Sequence, residues 1–219
     1  ADTSETNNVA IGHSAMQLAD ENGNSIDQNI AIGTDALKGG VLGSGVVVGN
    51  IAIGYQALKT TGVNPHTGTI AIGQSALAAT TSGAGNVAIG YTALTTNVDG
   101  GYNTAVGYES LYTFEADSAN HGQNTALGYQ TGKFVSTGTG NTFLGFYAGI
   151  GITGTPLTGD NNTAIGRQSG LELEGAAHSN TFVGNNAGST TESGVENTCI
   201  GNSCLAQDDT ATNQVVIGN

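Results

Sequence analysis

Positive charge is nearly missing from this chain: four Lys and Arg stand against 17 Asp and Glu, a formal net charge of −13 over 219 residues. Nucleic acid and anionic membrane are recognised by clustered Lys and Arg, so both are excluded as partners. No apolar run approaches the about 18 residues of a membrane-spanning helix, and no signal-peptide start or basic targeting run is present. Trp is absent, and the large aromatics are five Phe and seven Tyr beside 36 Gly. That composition borders on disorder and excludes an ordinary packed globule. The two Cys and the four His (His13, His66, His121, His178) have no zinc spacing, and no Ser, His and Asp arrangement stands out. We therefore expect no metal, no cofactor and no enzyme.

What is present is a repeat. The segments NNVAIGHSAM, QNIAIGTDAL, GNIAIGYQAL, GTIAIGQSAL, GNVAIGYTAL, YNTAVGYESL, QNTALGYQTG, GNTFLGFYAG, NNTAIGRQSG, SNTFVGNNAG, ENTCIGNSCL and NQVVIGN make twelve copies. Their central glycines, Gly12, Gly33, Gly54, Gly73, Gly90, Gly107, Gly128, Gly145, Gly166, Gly184, Gly201 and Gly218, are 17 to 21 residues apart. That period is too short for two packed helices, and the apolar residues are small or β-branched. The pattern predicts an all-β parallel β-solenoid of about twelve coils. Residues 1–7 form a polar N-terminal segment and residues 8–219 a single solenoid domain. In each coil an extended stretch precedes the glycine, the glycine turns, and the following residues, such as Tyr55-Gln56-Ala57-Leu58, begin a return strand. Leucine-rich, collagen and calcium-binding nonapeptide repeats are excluded by their missing signatures. Gly149-Ile150-Gly151-Ile152-Thr153-Gly154 matches the dinucleotide fingerprint GxGxxG, but Pro156 and another coil follow it in place of a helix.

Numbering each coil from its glycine exposes the columns. Position −4 holds Asn8, Asn29, Asn50, Asn86, Asn103, Asn124, Asn141, Asn162, Asn180 and Asn197, broken only by Thr69 and Gln214. Stacked at about 4.8 Å, such amides form a structural hydrogen-bonded ladder. Position −1 is Ile, Val or Leu throughout. Position −2 is Ala10, Ala31, Ala52, Ala71, Ala88, Ala105, Ala126, Phe143, Ala164, Phe182, then Cys199 and Val216. Strand residues alternate faces, so both faces are apolar, and a thin roll covers only one of them by itself. The alanine column is therefore expected at an interface with further copies of the chain, as a homotrimer. The competing reading leaves the alanines as a flat, weakly apolar exposed face.

The motif N-x-A-I-G-x-x-A-L resembles the head repeats of trimeric autotransporter adhesins, the YadA-like family, and the NTAIGYQAL arrays of phage tail fibres and large secreted bacterial proteins. The resemblance covers Asn8 to Asn219 and implies a left-handed β-roll, a trimer, and an extracellular, cell-surface or virion location. The adhesin repeat is usually shorter, and the stalk, anchor and chaperone domains of those families are not seen here. The expected function is thus a structural or adhesive fibre subunit whose receptor or glycan partner is unnamed. The alternative is a monomeric ice- or glycan-binding β-solenoid.

Further candidates lie beside the motif. Position +1 carries Tyr55, Tyr91, Tyr108, Tyr129 and Phe146, a row suited either to sugar contact or to rim packing. Thr104, Thr125, Thr142, Thr163, Thr181 and Thr198 fall at −3, with the parity of the isoleucines, and are expected inward or interfacial. Ice binding would then use the alanine face. Cys199 and Cys204 flank Gly201 as either a disulfide or two buried thiols. Carboxylates sit mainly in the longer connectors, either as solubilising charge or, in the competing reading, to coordinate calcium or contact a partner. The sequence stops within a twelfth motif, so either it is cut from a longer protein or the open edge is covered, and a head-to-tail joint near Ala1 to Asn7 fits the second case.

Overall fold

The computed structural model describes residues 6–17, 19–20, 25–39, 41–42, 46–60, 66–116, 121–205 and 212–218. Among these the chain is all β, a parallel solenoid without helix. Twelve three-residue strands, from Val9–Ile11 and Ile30–Ile32 through to Thr198–Ile200 and Val215–Ile217, make one sheet in which each strand pairs with its counterpart in the next coil. Register never slips. Ala10 pairs with Ala31, Ala31 with Ala52, Ala126 with Phe143, and Phe182 with Cys199. A second sheet stacks Ile26–Asp27, Val47–Val48 and His66–Thr67, and Ala19–Asp20 pairs with Val41–Leu42.

The asparagine column forms the ladder expected of it. Asn29 donates to Asn8 Oδ1 from its backbone N at 2.9 Å and from Nδ2 at 3.2 Å, and Asn50 does the same to Asn29 at 2.9 and 3.0 Å. The second amide hydrogen goes to a backbone carbonyl, as from Asn29 Nδ2 to Val47 O at 2.7 Å. Thr69 N closes the first run on Asn50 Oδ1. The ladder restarts at Asn86 and passes through Asn103, Asn124, Asn141, Asn162, Asn180 and Asn197 to Gln214 N. All of these asparagines from Asn29 to Asn197 are buried, so the ladder satisfies amides that would otherwise destabilise the interior.

After the strand, the central glycine must be glycine. At Gly33 φ is +128°, and a Cβ there would lie 2.6 Å from Gly54 O in the next coil. The residues that follow are not a return strand. They are a turn in which positions +2 and +4 are left-handed, with φ of 57° at Gln56 and 50° at Leu58. Such a conformation costs a non-glycine residue about 1–2 kcal/mol. It is held because each strained residue gives its N–H to a neighbouring coil: Gln56 N to Thr34 O at 3.0 Å and Leu58 N to Ala76 O at 2.9 Å.

The core lies between that turn and the inner face of the main sheet. Ala31, Ala52, Ala71, Ala88 and Ala105 at −2 pack in one cluster with Ala36, Ala57, Ala76 and Ala93 at +3 and Leu37, Leu58, Leu77, Leu94 and Leu111 at +4, all fully buried. From Gly128 to Gly184 the scheme changes. Position +4 becomes Gly132, Gly149, Gly170 and Gly188, while −2 alternates Ala126, Phe143, Ala164, Phe182. A Cβ on Gly132 would approach both Leu111 Cδ2 and Phe143 Cδ2 to 2.9 Å, one on Gly149 would run into the Phe143 ring, and one on Gly188 would lie 2.6 Å from Phe182 Cδ2. Each phenylalanine thus occupies the space that leucines fill in other coils, in its own coil and in the coil before it, Phe182 Cδ2 lying 3.3 Å from where a Cβ on Gly170 would be.

This corrects the expected interface. Ala31, Ala52, Ala71, Ala88, Ala105, Ala126, Phe143, Ala164 and Phe182 are 0% exposed in the single chain, and only Ala10, in the first coil, is open. The alanine column is the inner wall of the roll, where no partner reaches it. The physical reason is width: a roll one turn thick has room for a methyl opposite a leucine, or for a phenyl opposite a glycine.

Candidate functional site

Because the alanines face inward, positions −3 and −1 face outward. Together they give the sheet a surface two columns wide and twelve strands long, Val9 and Ile11 at one end and Val215 and Ile217 at the other. The first five coils present only Val and Ile, while the next six present Thr104, Thr125, Thr142, Thr163, Thr181 and Thr198 beside Val106, Leu127, Leu144, Ile165, Val183 and Ile200. These threonines were expected inward or interfacial. They lie on the outer face, half-buried by their neighbours except Thr125, which is exposed. Leu127 and Leu144, paired in adjacent strands, are 45% and 40% exposed, and Ile11 and Ile200 toward the two ends are 59% and 43% exposed.

The face is also neutral. Neither outward column contains a charge, and the flanking columns at −5 and +1 contain only Glu196 and Arg167, although the chain carries 17 acidic and four basic residues. With its flanks the strip measures roughly 50 Å by 20 Å from strand geometry, on the order of 1,000 Å² and comparable to one partner's share of a stable interface.

The aromatic row runs along one flank. Tyr91, Tyr108, Tyr129 and Phe146 stack with centroids 5.1, 5.3 and 5.4 Å apart and interplanar angles of 12–14°. Parallel rings this close cannot lie edge to edge in one plane, so each turns its face toward the next. Tyr147 adds tilted contacts to Tyr129 and Phe146. Within the row each ring shares part of its face with the next, yet the four rings remain 40–44% exposed, so rim packing and sugar contact both stay open to them. Tyr55, separated from Tyr91 by Gln74 in the column, stays outside the stack and is 48% exposed. Below the row, Glu109 accepts from Lys133 Nζ at 2.6 Å and Gln130 Nε2 at 2.7 Å, and Lys133 also lies over Tyr112 and Phe134. Burial alone would raise the Glu109 carboxyl, but these donors hold it below the usual range.

On the connector side the surface is polar. One open groove of about 390 Å³ is lined by Thr158, Gly159, Asp160, Asn161, Ala176, His178 and Ser179, and another of about 490 Å³ by Asp99, Thr113, Glu115, Ala116, Ser136 and Thr137. Among the described residues no group of three or more His, Cys, Asp or Glu is placed to hold a metal, and no helix is long and apolar enough to cross a membrane. Cys199 and Cys204 form a disulfide, Cα to Cα 5.8 Å, across the interior of the coil centred on Gly201.

Sequence reasoning missed which apolar column faces out. The signal was present in the replacement of Leu by Gly at +4 where Phe enters at −2, which makes sense only if those two columns share one interior. No family model, curated protein or solved structure matches the chain. The likeness to adhesin heads and tail-fibre arrays accordingly rests on the motif itself.

Proposed function

We propose that the chain is a structural, adhesive subunit of an extracellular or virion fibre, assembled with further copies of itself, three around an axis, through the outward face of its main sheet. The observation that carries this reading is a neutral, largely aliphatic strip of twelve strands on a chain of net charge −13. Elsewhere like charge keeps copies apart, and along this strip it does not. Burial of side chains that are now 40% or more exposed, such as Leu127 and Leu144, would drive the association. The disulfide fits an oxidising compartment. Attachment would fall to the connector side, where carboxylate, amide and hydroxyl groups line open grooves suited to a polyhydroxylated ligand such as a glycan. The reading contains no catalytic step.

The test is a charge on the strip. Ile72→Lys and Ile89→Lys place ammonium groups at half-buried outward positions that a lone roll tolerates and a packed one does not. Each is expected to abolish assembly in sedimentation while the far-ultraviolet spectrum stays that of the parent. Assembly that survives both substitutions contradicts the proposed face.

One observation favours a second reading. Six consecutive threonines stand in unbroken register on the outer face, from Thr104 paired with Thr125 to Thr181 paired with Thr198. A rigid row of hydroxyl and methyl groups repeated at about 4.8 Å can order water, so a monomer could bind ice with this face and not with its alanines. Thermal hysteresis that falls on Thr142→Lys would favour ice, whereas none in the parent chain removes the reading.

A further inference from the structure

Coil 4, centred on Gly73, puts a histidine where its neighbours put aliphatic side chains. In the second sheet Ile26, Val47 and His66 occupy one column, strand upon strand. All three are buried, and His66 is 0% exposed. Neither Nδ1 nor Nε2 has a hydrogen-bond partner. Even neutral, an imidazole leaves one N–H and one lone pair to satisfy, so this site is costly before any proton is added. Burial lowers the His66 pKa below the ordinary histidine value. The Thr81 backbone pulls weakly the other way, without a hydrogen bond of good geometry.

The same coil holds the break in the asparagine ladder. Thr69 N accepts the role of donor to Asn50, but Thr69 Oγ1 is buried without a partner and passes nothing on to Asn86. Among the described residues, three of the six orphaned buried side-chain atoms, two of His66 and one of Thr69, belong to this one coil. Just beneath the gap, Asn50 Nδ2 holds His66 O at 2.9 Å. Charged groups on the surrounding elements do not compensate. Asp27, which follows Ile26, accepts from Thr6 Oγ1 at 2.8 Å, and Asp99 accepts from Ser82 Oγ at 2.6 Å and Thr81 Oγ1 at 3.4 Å. The strand Val47–Val48 has no charge, and neither these carboxylates nor Lys59 on the preceding turn acts on His66.

We propose that coil 4 is an acid-labile seam: protonation of His66 sets an unpaired cation in the dry interior beside the gap in the asparagine ladder, and the stack opens between Asn50 and Asn86 before it opens elsewhere. The sign follows from linkage. The opened chain takes up a proton near the ordinary histidine pKa of 6.5 while the closed chain resists it. Closure is therefore fully favoured above that pH and weakens as pH falls below it, by up to about tenfold in the opening equilibrium per pH unit. The inference does not depend on fibre assembly, because it concerns the interior of one roll.

Amide hydrogen exchange of the full chain tests it, at one pH above the ordinary histidine pKa and one below, corrected for intrinsic rates. Amides of residues 50–60 and 66–86 should lose protection on acidification relative to those between Gly128 and Gly166, a stretch without histidine. His66→Val, which repeats Val47, should remove that difference. Thr69→Asn should raise protection at both pH values and leave the pH dependence in place. Uniform exchange along the parent roll at both pH values, or acid sensitivity kept by His66→Val, overturns the seam. Unchanged protection in Thr69→Asn overturns the part assigned to the ladder gap.

Discussion

The asparagine amide is the residue that a stacked coil needs at −4, because it accepts and donates in different directions. Its Oδ1 takes the backbone N–H of the next coil and, in most rungs, the next Nδ2, while its own Nδ2 reaches a backbone carbonyl. Asn124 shows the set: it donates to Asn103 Oδ1 from N at 3.0 Å and to Gly138 O from Nδ2 at 2.9 Å, and its Oδ1 accepts from Asn141 N at 2.9 Å. Asn124→Ala leaves Asn141 N and Gly138 O unpaired in a dry interior, and should destabilise the roll by about 1–3 kcal/mol in urea denaturation. Asn124→Asp should cost more, since the aspartate loses the donor and buries a charge. An aspartate variant as stable as the parent would show that the column does not act through its amides. The ladder was legible in the sequence because ten asparagines recur at one position, whereas His66 was not, because it lies outside the repeated motif where no column announced a buried site.

At the scale of a strand and its turn, packing is set by trades of volume between −2 and +4. Gly149→Leu alone would drive a leucine into the Phe143 ring and should destabilise by about 1–3 kcal/mol. Phe143→Ala alone opens a cavity and should cost about 3–5 kcal/mol. Combined with Gly132→Leu and Gly149→Leu, Phe143→Ala recreates the scheme of Ala88 with Leu94 and should recover most of that loss, measured as a non-additive thermal stability. Strict additivity would contradict the shared interior. The strands and their register could be read from spacing alone. Their facing could not, since −2 and −1 are both apolar and alternation says only that they oppose each other. Reading Tyr55 to Leu58 as a return strand failed for a different reason. Left-handed φ at Gln56 and Leu58 is invisible in residues that are not glycine, and it is sustained by hydrogen bonds to neighbouring coils.

For the whole molecule, stacking turns small residue choices into long surfaces. Eleven intervals at about 4.8 Å make a rod of roughly 50 Å, and every outward position becomes a line along it. One such line pair is neutral and mostly aliphatic, one rim carries a stacked aromatic row, and the connector side gathers polar grooves. The sequence pointed to self-association through the alanine column; the alanines fill the roll instead, so under the proposed function the contact falls to the isoleucines, valines and threonines. A solenoid alone does not bury them. Light scattering on the unmodified chain, which gives its mass in solution, is the most direct test of this central claim. The account predicts a particle of three chains, or filaments built from such particles; a stable single chain across a wide concentration range would contradict it.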